Sequence, residues 1–104
     1  MNQQQLLKQE LTVSHILRIY GKQFTQIRKR YSDGHNGRCA VGVIMSYYGW
    51  NGIVDRNEPR RVLAAIDELG RAGISKDQVI NLIKLNDSNM TFDEIADYLD
   101  RYSS

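Results

Sequence analysis

The sequence predicts an all-α protein, a compact single-domain bundle of four to five helices. Apolar residues recur at the three- and four-residue spacing of helix faces, and two segments open with complete helix-start signals. A single proline and few alternating polar and apolar runs argue against a β-sandwich. A chain of 104 residues is the size of one domain and can bury a modest core without disulfides or metal. We therefore predict one all-α domain over residues 1–104.

The predicted helices follow from apolar periodicity and from the residues that begin and end each segment. Gly49 ends the second helix, Pro59 lies in the first turn of the third, and Asn86 or Asn89 ends the fourth in a left-handed conformation. A short additional helix is expected near Leu6 and Leu7. The resulting segments are residues 13–31, 38–48, 58–70, 76–85 and 92–102.

The last two helices have the strongest start signals. Ser75 with Gln78, and Thr91 with Glu94, have the spacing of a capping box, in which side chains reciprocally satisfy backbone N–H groups. Apolar residues flank both boxes at the hydrophobic-staple positions. These local signals predict two capped helices joined by a short turn.

The first predicted helix carries a heptad-like apolar seam. Its residues are spaced 4, 3, 4, 3 and 4 apart and are Val13, Leu17, Tyr20, Phe24, Ile27 and Tyr31. The seam spans fewer than three heptads and contains Gly21, which favours a core-facing helix over a free coiled coil. If the seam has no partner within the monomer, it is the expected dimer surface.

Charge is unevenly distributed along the chain. Residues 1–38 hold seven Lys or Arg against two acidic residues, a net charge of +5, whereas residues 39–104 hold seven against ten, a net charge of −3. A basic first third can bind nucleic acid, or it can simply attract the acidic remainder of the chain. The nucleic-acid alternative would use Lys22, Arg28, Lys29, Arg30 and Arg38.

Aromatic residues mark the surfaces expected to bind a partner. Large rings near helix ends anchor many protein interfaces, although Trp50 could equally fill the core. We therefore predict a non-enzymatic binding or regulatory module that engages another protein or a second copy of itself. The expected binding residues are Tyr20, Phe24, Tyr31, Tyr47, Tyr48 and Trp50.

An enzyme that uses Cys39 as nucleophile is the third hypothesis. Cys39 lies near the start of a helix, whose dipole can lower a thiol pKa, and His35 lies four residues earlier. A small buried cysteine beside Gly42 explains the same residues and is favoured. Cys39, His15 and His35 match no structural zinc spacing, so we predict neither metal nor cofactor.

The expected location is the cytoplasm. No apolar run is long enough to span a bilayer, and the N-terminus lacks the basic and then apolar order of a secretory signal. One cysteine cannot form an internal disulfide, which fits a reducing compartment.

Two resemblances add to this interpretation. The order Cys39-Ala40-Val41-Gly42, Leu85-Asn86-Asp87 and Phe92-Asp93-Glu94-Ile95-Ala96 resembles small bacterial domains with a Cys-Ala-x-Gly helix, an Asn-Asp turn and a final amphipathic helix. That resemblance implies no particular activity. The last two helices also resemble the start of a helix-turn-helix, but only Arg101 to Ser104 follow Asp100, so no recognition helix is predicted.

Overall fold

The computed structural model describes residues 11–53, 67, 69–70 and 73–102, and this part of the chain is helix-rich. Its helices are α1 (Val13–Ile19), α2 (Ala40–Tyr47), α3 (Lys76–Asp87) and α4 (Phe92–Tyr102). A 3₁₀ helix (Tyr20–Gln23) and two short strands, β1 (Thr25–Gln26) and β2 (Gly37–Arg38), lie between α1 and α2. The predicted N-terminal helix near Leu6 and Leu7, and nearly all of the predicted helix over 58–70, lie outside the described residues.

The two strands form a small parallel sheet that the all-α prediction lacks. Thr25 pairs with Gly37 and Gln26 with Arg38. The N–H of Ile27 then donates to the carbonyl of Arg38 at 2.9 Å, which extends the pairing by one residue. The prediction of a helix-rich chain is confirmed, while its strictly all-α form omitted this sheet.

The predicted helix over residues 13–31 is wrong beyond its first two turns. α1 ends at Ile19, the 3₁₀ helix ends at Gln23, and the chain is extended at Phe24 and through β1. Gly21 packs against Phe92 so closely that an added Cβ would lie 2.9 Å from the ring. Tertiary hydrogen bonds to the β1 segment replace the helical ones, because Thr25 N–H donates to the Asn36 carbonyl at 3.0 Å.

The heptad-like seam is therefore absorbed within the monomer. Leu17 is 1% exposed in the core, and Tyr20 and Phe24 pack partly against that core. Since Phe24 and Ile27 are no longer on a helix, they share no continuous face with Leu17. The continuous helical face on which the expected dimer surface was based is therefore absent from residues 13–31.

The capped helices match their predictions closely. Ser75 and Gln78 form both hydrogen bonds of the capping box. Thr91 and Glu94 form the second capping box: the Glu94 N–H donates to the Thr91 hydroxyl at 3.1 Å, and the Thr91 N–H donates to the Glu94 carboxylate at 3.0 Å. Of the two asparagines predicted to end α3, Asn89 adopts the left-handed conformation, with φ of 72°. Asn86 lies within α3, which ends at Asp87, two residues past its predicted end. The second helix also forms close to its predicted bounds, although it begins at Ala40 and not at residue 38.

The core surrounds α2, all of whose residues are buried. α1 and α4 pack side by side, and α2 lies against both α1 and α3. The largest fully buried side chains in this core are Ile16, Leu17, Ile44, Leu69, Leu82 and Ile95. This arrangement brings the N-terminal end of α2 to the C-terminal end of α3.

Candidate functional site

Four of the six aromatic residues predicted to bind a partner come together in space. Tyr20 contacts Phe24 and Tyr47, with ring centroids 5.7 Å and 5.5 Å apart, and Tyr47 contacts Tyr48 at 5.2 Å. Tyr47 is buried, while Tyr48 is exposed at the end of α2. The group is thus mainly a packed edge of the core, with Tyr48 as its most exposed ring.

Arg38 links this aromatic group to Trp50. Its guanidinium lies 4.7 Å from the Phe24 ring centroid and 5.5 Å from that of Trp50, within the range of cation–π attraction. Its Nε and Nη1 atoms donate to the hydroxyl groups of Ser46 and Ser32, each at 3.0 Å. Arg38 is 5% exposed, so it cannot contact phosphate in this conformation, contrary to the nucleic-acid hypothesis for that residue.

The other predicted basic residues are exposed. Lys22 lies in the 3₁₀ helix, while Arg28, Lys29 and Arg30 form a loop after β1. The helix predicted over residues 13–31 would place the last three at its C-terminal end. The structure places them on a loop instead.

Cys39 begins α2 as its N-cap residue. Its sulfur accepts a hydrogen bond from the Gly42 N–H at 3.4 Å. Burial raises the pKa of the thiol from 9.0 to about 11, and the nearby Asp87 carboxylate adds to this effect. A nucleophilic cysteine needs a lowered pKa, so this environment favours a structural role.

Asn86 connects three segments at the centre of the molecule. Its Oδ1 accepts hydrogen bonds from the Ala40 N–H at 3.0 Å and from Gln26 Nε2 at 2.9 Å. Its Nδ2 donates to the carbonyl of Ile27 at 2.8 Å. The side chain thus supplies an acceptor for the first turn of α2 and holds the β1 segment against α3.

A pocket of about 260 Å³ opens beside this hydrogen-bonded centre. Its walls are mostly apolar and its rim is charged. We call this site the basic pocket. It is lined by residues 29–31, Cys39, Ile83, Asn86 and Asp87. It is smaller than the roughly 300–1,000 Å³ sites that hold drug-sized ligands, and it suits a single side chain.

The rim of the basic pocket contains an unusual backbone conformation. Lys29 has φ of 65°, which is uncommon for a residue other than glycine. Its N–H donates to Asp87 Oδ1 at 3.0 Å, and this bond helps to hold the turn. Backbone strain of this kind costs about 1 kcal/mol or more and tends to occur at functional sites.

Sequence reasoning missed the basic pocket as a unit. Tyr31 was expected at a binding surface, and it does line the pocket. Cys39 and Asp87 belong to separate sequence motifs, yet both line the pocket. The Leu85-Asn86-Asp87 motif was the signal that could have indicated Asn86, whereas no motif contains Ile83.

The described residues contain no group of three or more metal-ligating side chains close enough to hold an ion. No helix in that same part of the chain is long and apolar enough to cross a membrane. Comparison with protein-family models, with curated proteins and with solved structures finds no match to this chain.

Proposed function

We propose that this chain is a non-enzymatic binding module that engages a partner protein, with the basic pocket as its contact site. The observation that carries the proposal is the pocket itself. Its interior is apolar and of side-chain size, its rim is charged, and the backbone of one rim residue, Lys29, is left-handed. Interfaces concentrate their binding free energy in a few anchors that fill such pockets.

The chemistry of the lining residues supports binding over catalysis. Cys39 has a raised pKa and is engaged as a helix cap. The polar atoms of the Asn86 side chain are occupied by Ala40, Gln26 and Ile27. These groups are committed to holding the fold, so the pocket offers shape and charge to a ligand.

The test is selection of peptides from a random display library on the folded protein. Ile83→Asp places a charge in the apolar wall and is expected to lower the affinity for the selected peptides by at least about tenfold. Ile19→Asp is the matched control, because Ile19 is 59% exposed and lies outside the pocket lining. Far-UV circular dichroism would establish that both variants are folded.

Selected peptides that bind the Ile83→Asp protein as tightly as the parent would refute this site. Loss of binding in the Ile19 control alone would place the contact elsewhere. Self-association would be detected by light scattering as a dimer.

Nucleic-acid binding is the second candidate, because Lys22, Arg28, Lys29 and Arg30 are all exposed. It predicts an affinity that falls steeply with salt and is lost on charge reversal at Arg28 and Arg30. No binding of single- or double-stranded oligonucleotides at low salt would eliminate it.

The proposal also covers the fold of the whole chain and its cellular location. We expect the whole chain to be one bundle of four to five helices that acts in the cytoplasm. A single, buried, unpaired cysteine agrees with a reducing compartment.

A further inference from the structure

We infer that the segment bound by the basic pocket is acidic, with carboxylates next to the apolar side chain that enters it. This inference rests on the proposed function and names the chemistry of the partner. It follows from the charge of the rim, from the local backbone and from the apolar surface that continues along α3.

The rim carries an excess of positive charge. Lys29 and Arg30 line the pocket with Asp87 as the acidic lining residue, and Arg28 precedes them on the same exposed loop. Asp87 directs one carboxylate oxygen to the Lys29 N–H. Exposed cations grouped around an apolar opening attract a carboxylate-bearing partner and discriminate against a basic one.

The bond between Asp87 and Lys29 gives the basic loop a defined shape. A left-handed residue reverses the chain direction locally, so the side chains on either side of Lys29 are presented differently from those of a helix or strand. Because a tertiary hydrogen bond from α3 supports this turn, the backbone that carries the cations is positioned relative to the pocket before a ligand arrives. Such preorganisation reduces the entropy lost on binding.

The apolar surface continues beyond the pocket. Ile80 lies three residues before Ile83 on α3 and is 38% exposed. Residues three apart lie on the same side of a helix. A peptide can therefore place one apolar side chain in the pocket and a second group against Ile80, with its carboxylates near Arg28 and Arg30. Ile83 and Cys39 in the pocket lining suit a branched aliphatic side chain better than a planar nucleobase with polar edges, so the observations favour an acidic peptide over nucleic acid.

The experiment uses three short capped peptides of equal length on the full chain. Each has a central leucine, flanked on both sides by two glutamates, two glutamines or two lysines. Binding is followed by NMR through the Ile83 methyl and the backbone amides of residues 28–31. The glutamate peptide is expected to bind about tenfold more tightly than the glutamine peptide at low salt, and the lysine peptide more weakly still.

Substitutions then separate the contribution of the exposed cations to peptide binding from that of the apolar pocket. Arg28→Glu with Arg30→Glu should abolish the preference for the glutamate peptide over the glutamine peptide, because the cations that attract the carboxylates are replaced by anions. Lys76→Glu with Arg101→Glu is the matched control, since both residues are exposed, lie outside the pocket lining and change net charge equally. Raising the salt concentration should weaken the binding of only the glutamate peptide.

Each other outcome is decisive. If the glutamate and glutamine peptides bind equally well at Ile83, the inference of an acidic partner is wrong, but the proposed binding site is retained. If display-selected peptides reach Ile83 but the glutamate peptide does not, the acidic motif is likewise overturned. An oligouridylate that shifts residues 28–31 without the Ile83 methyl, and displaces the peptides, would replace both proposals with nucleic-acid binding.

Discussion

Replacing Asn86 with alanine should destabilise this protein more than most single substitutions. Asn86 is fully buried, and its side chain holds Ala40, Gln26 and Ile27 through three hydrogen bonds of 2.8–3.0 Å. Three bonds at a net value of about 1 kcal/mol each, with the cost of leaving the buried Ala40 N–H without its acceptor, give a loss of about 4 kcal/mol. That is a large fraction of the roughly 5–15 kcal/mol that stabilises a typical domain.

Urea unfolding followed by fluorescence and by far-UV circular dichroism measures this loss. Trp50 is the only tryptophan in the chain, so its emission reports on the loop beside α2. Asn81→Ala is the control on the same helix, because Asn81 is only partly buried and is expected to change stability by less than about 0.5 kcal/mol. A loss below about 1 kcal/mol for Asn86→Ala would mean that the three bonds contribute little beyond solvation.

Three further predictions concern α2, its cap and the packing of α1 on α4. Gly42→Ala should destabilise the protein by about 2 kcal/mol in urea unfolding, because the added Cβ would lie 2.1 Å from the Tyr31 carbonyl oxygen. Cys39 should react slowly with a thiol reagent, because its pKa is about 11, and stability should fall as pH rises from 9.0 through that value. Asp100 accepts a hydrogen bond from Ser14 that lowers its pKa below 3.8, so its contribution to stability should be lost as pH falls through the lowered value.

Each of these predictions has a control or a contrary outcome. Gly70→Ala meets no atom within 4 Å and should have little effect, whereas helix propensity alone would make Gly42→Ala stabilising by about 1 kcal/mol. Labelling of Cys39 in the native protein at the rate seen in denaturant would contradict its burial. In acid unfolding, Asp100→Asn should lose the part of the pH dependence that this carboxylate supplies. An unchanged acid transition would show that Asp100 does not contribute.

The accuracy of the sequence-based predictions depended on the range of the interactions involved. The two capping boxes and the left-handed Asn89 involve residues at most three positions apart or a single backbone conformation. Such features are visible in sequence because the interacting groups are neighbours along the chain. The bounds of α4 were therefore predicted to the residue, whereas α3 begins where predicted and ends two residues later, at Asp87.

The first third of the chain was mispredicted because long-range contacts determine its conformation. Its apolar spacing alone indicated a helix through Tyr31, yet Phe92 packs on Gly21 and Asn86 binds the Ile27 carbonyl. Those partners lie about sixty to seventy residues further along the chain, and the spacing within residues 13–31 contains no information about them. The competing hydrogen bonds favour an extended segment where local periodicity favoured a helix.

The sequence by itself determined the helix-rich class, the caps of α3 and α4, the burial of Cys39 and the basic character of the loop before β2. Only the tertiary structure decided that Arg38 is internal, that Asn86 joins three segments, and that Lys29, Cys39, Ile83 and Asp87 line one pocket. The physical reason is that capping and periodicity act between near neighbours, whereas a pocket depends on how separate segments pack together.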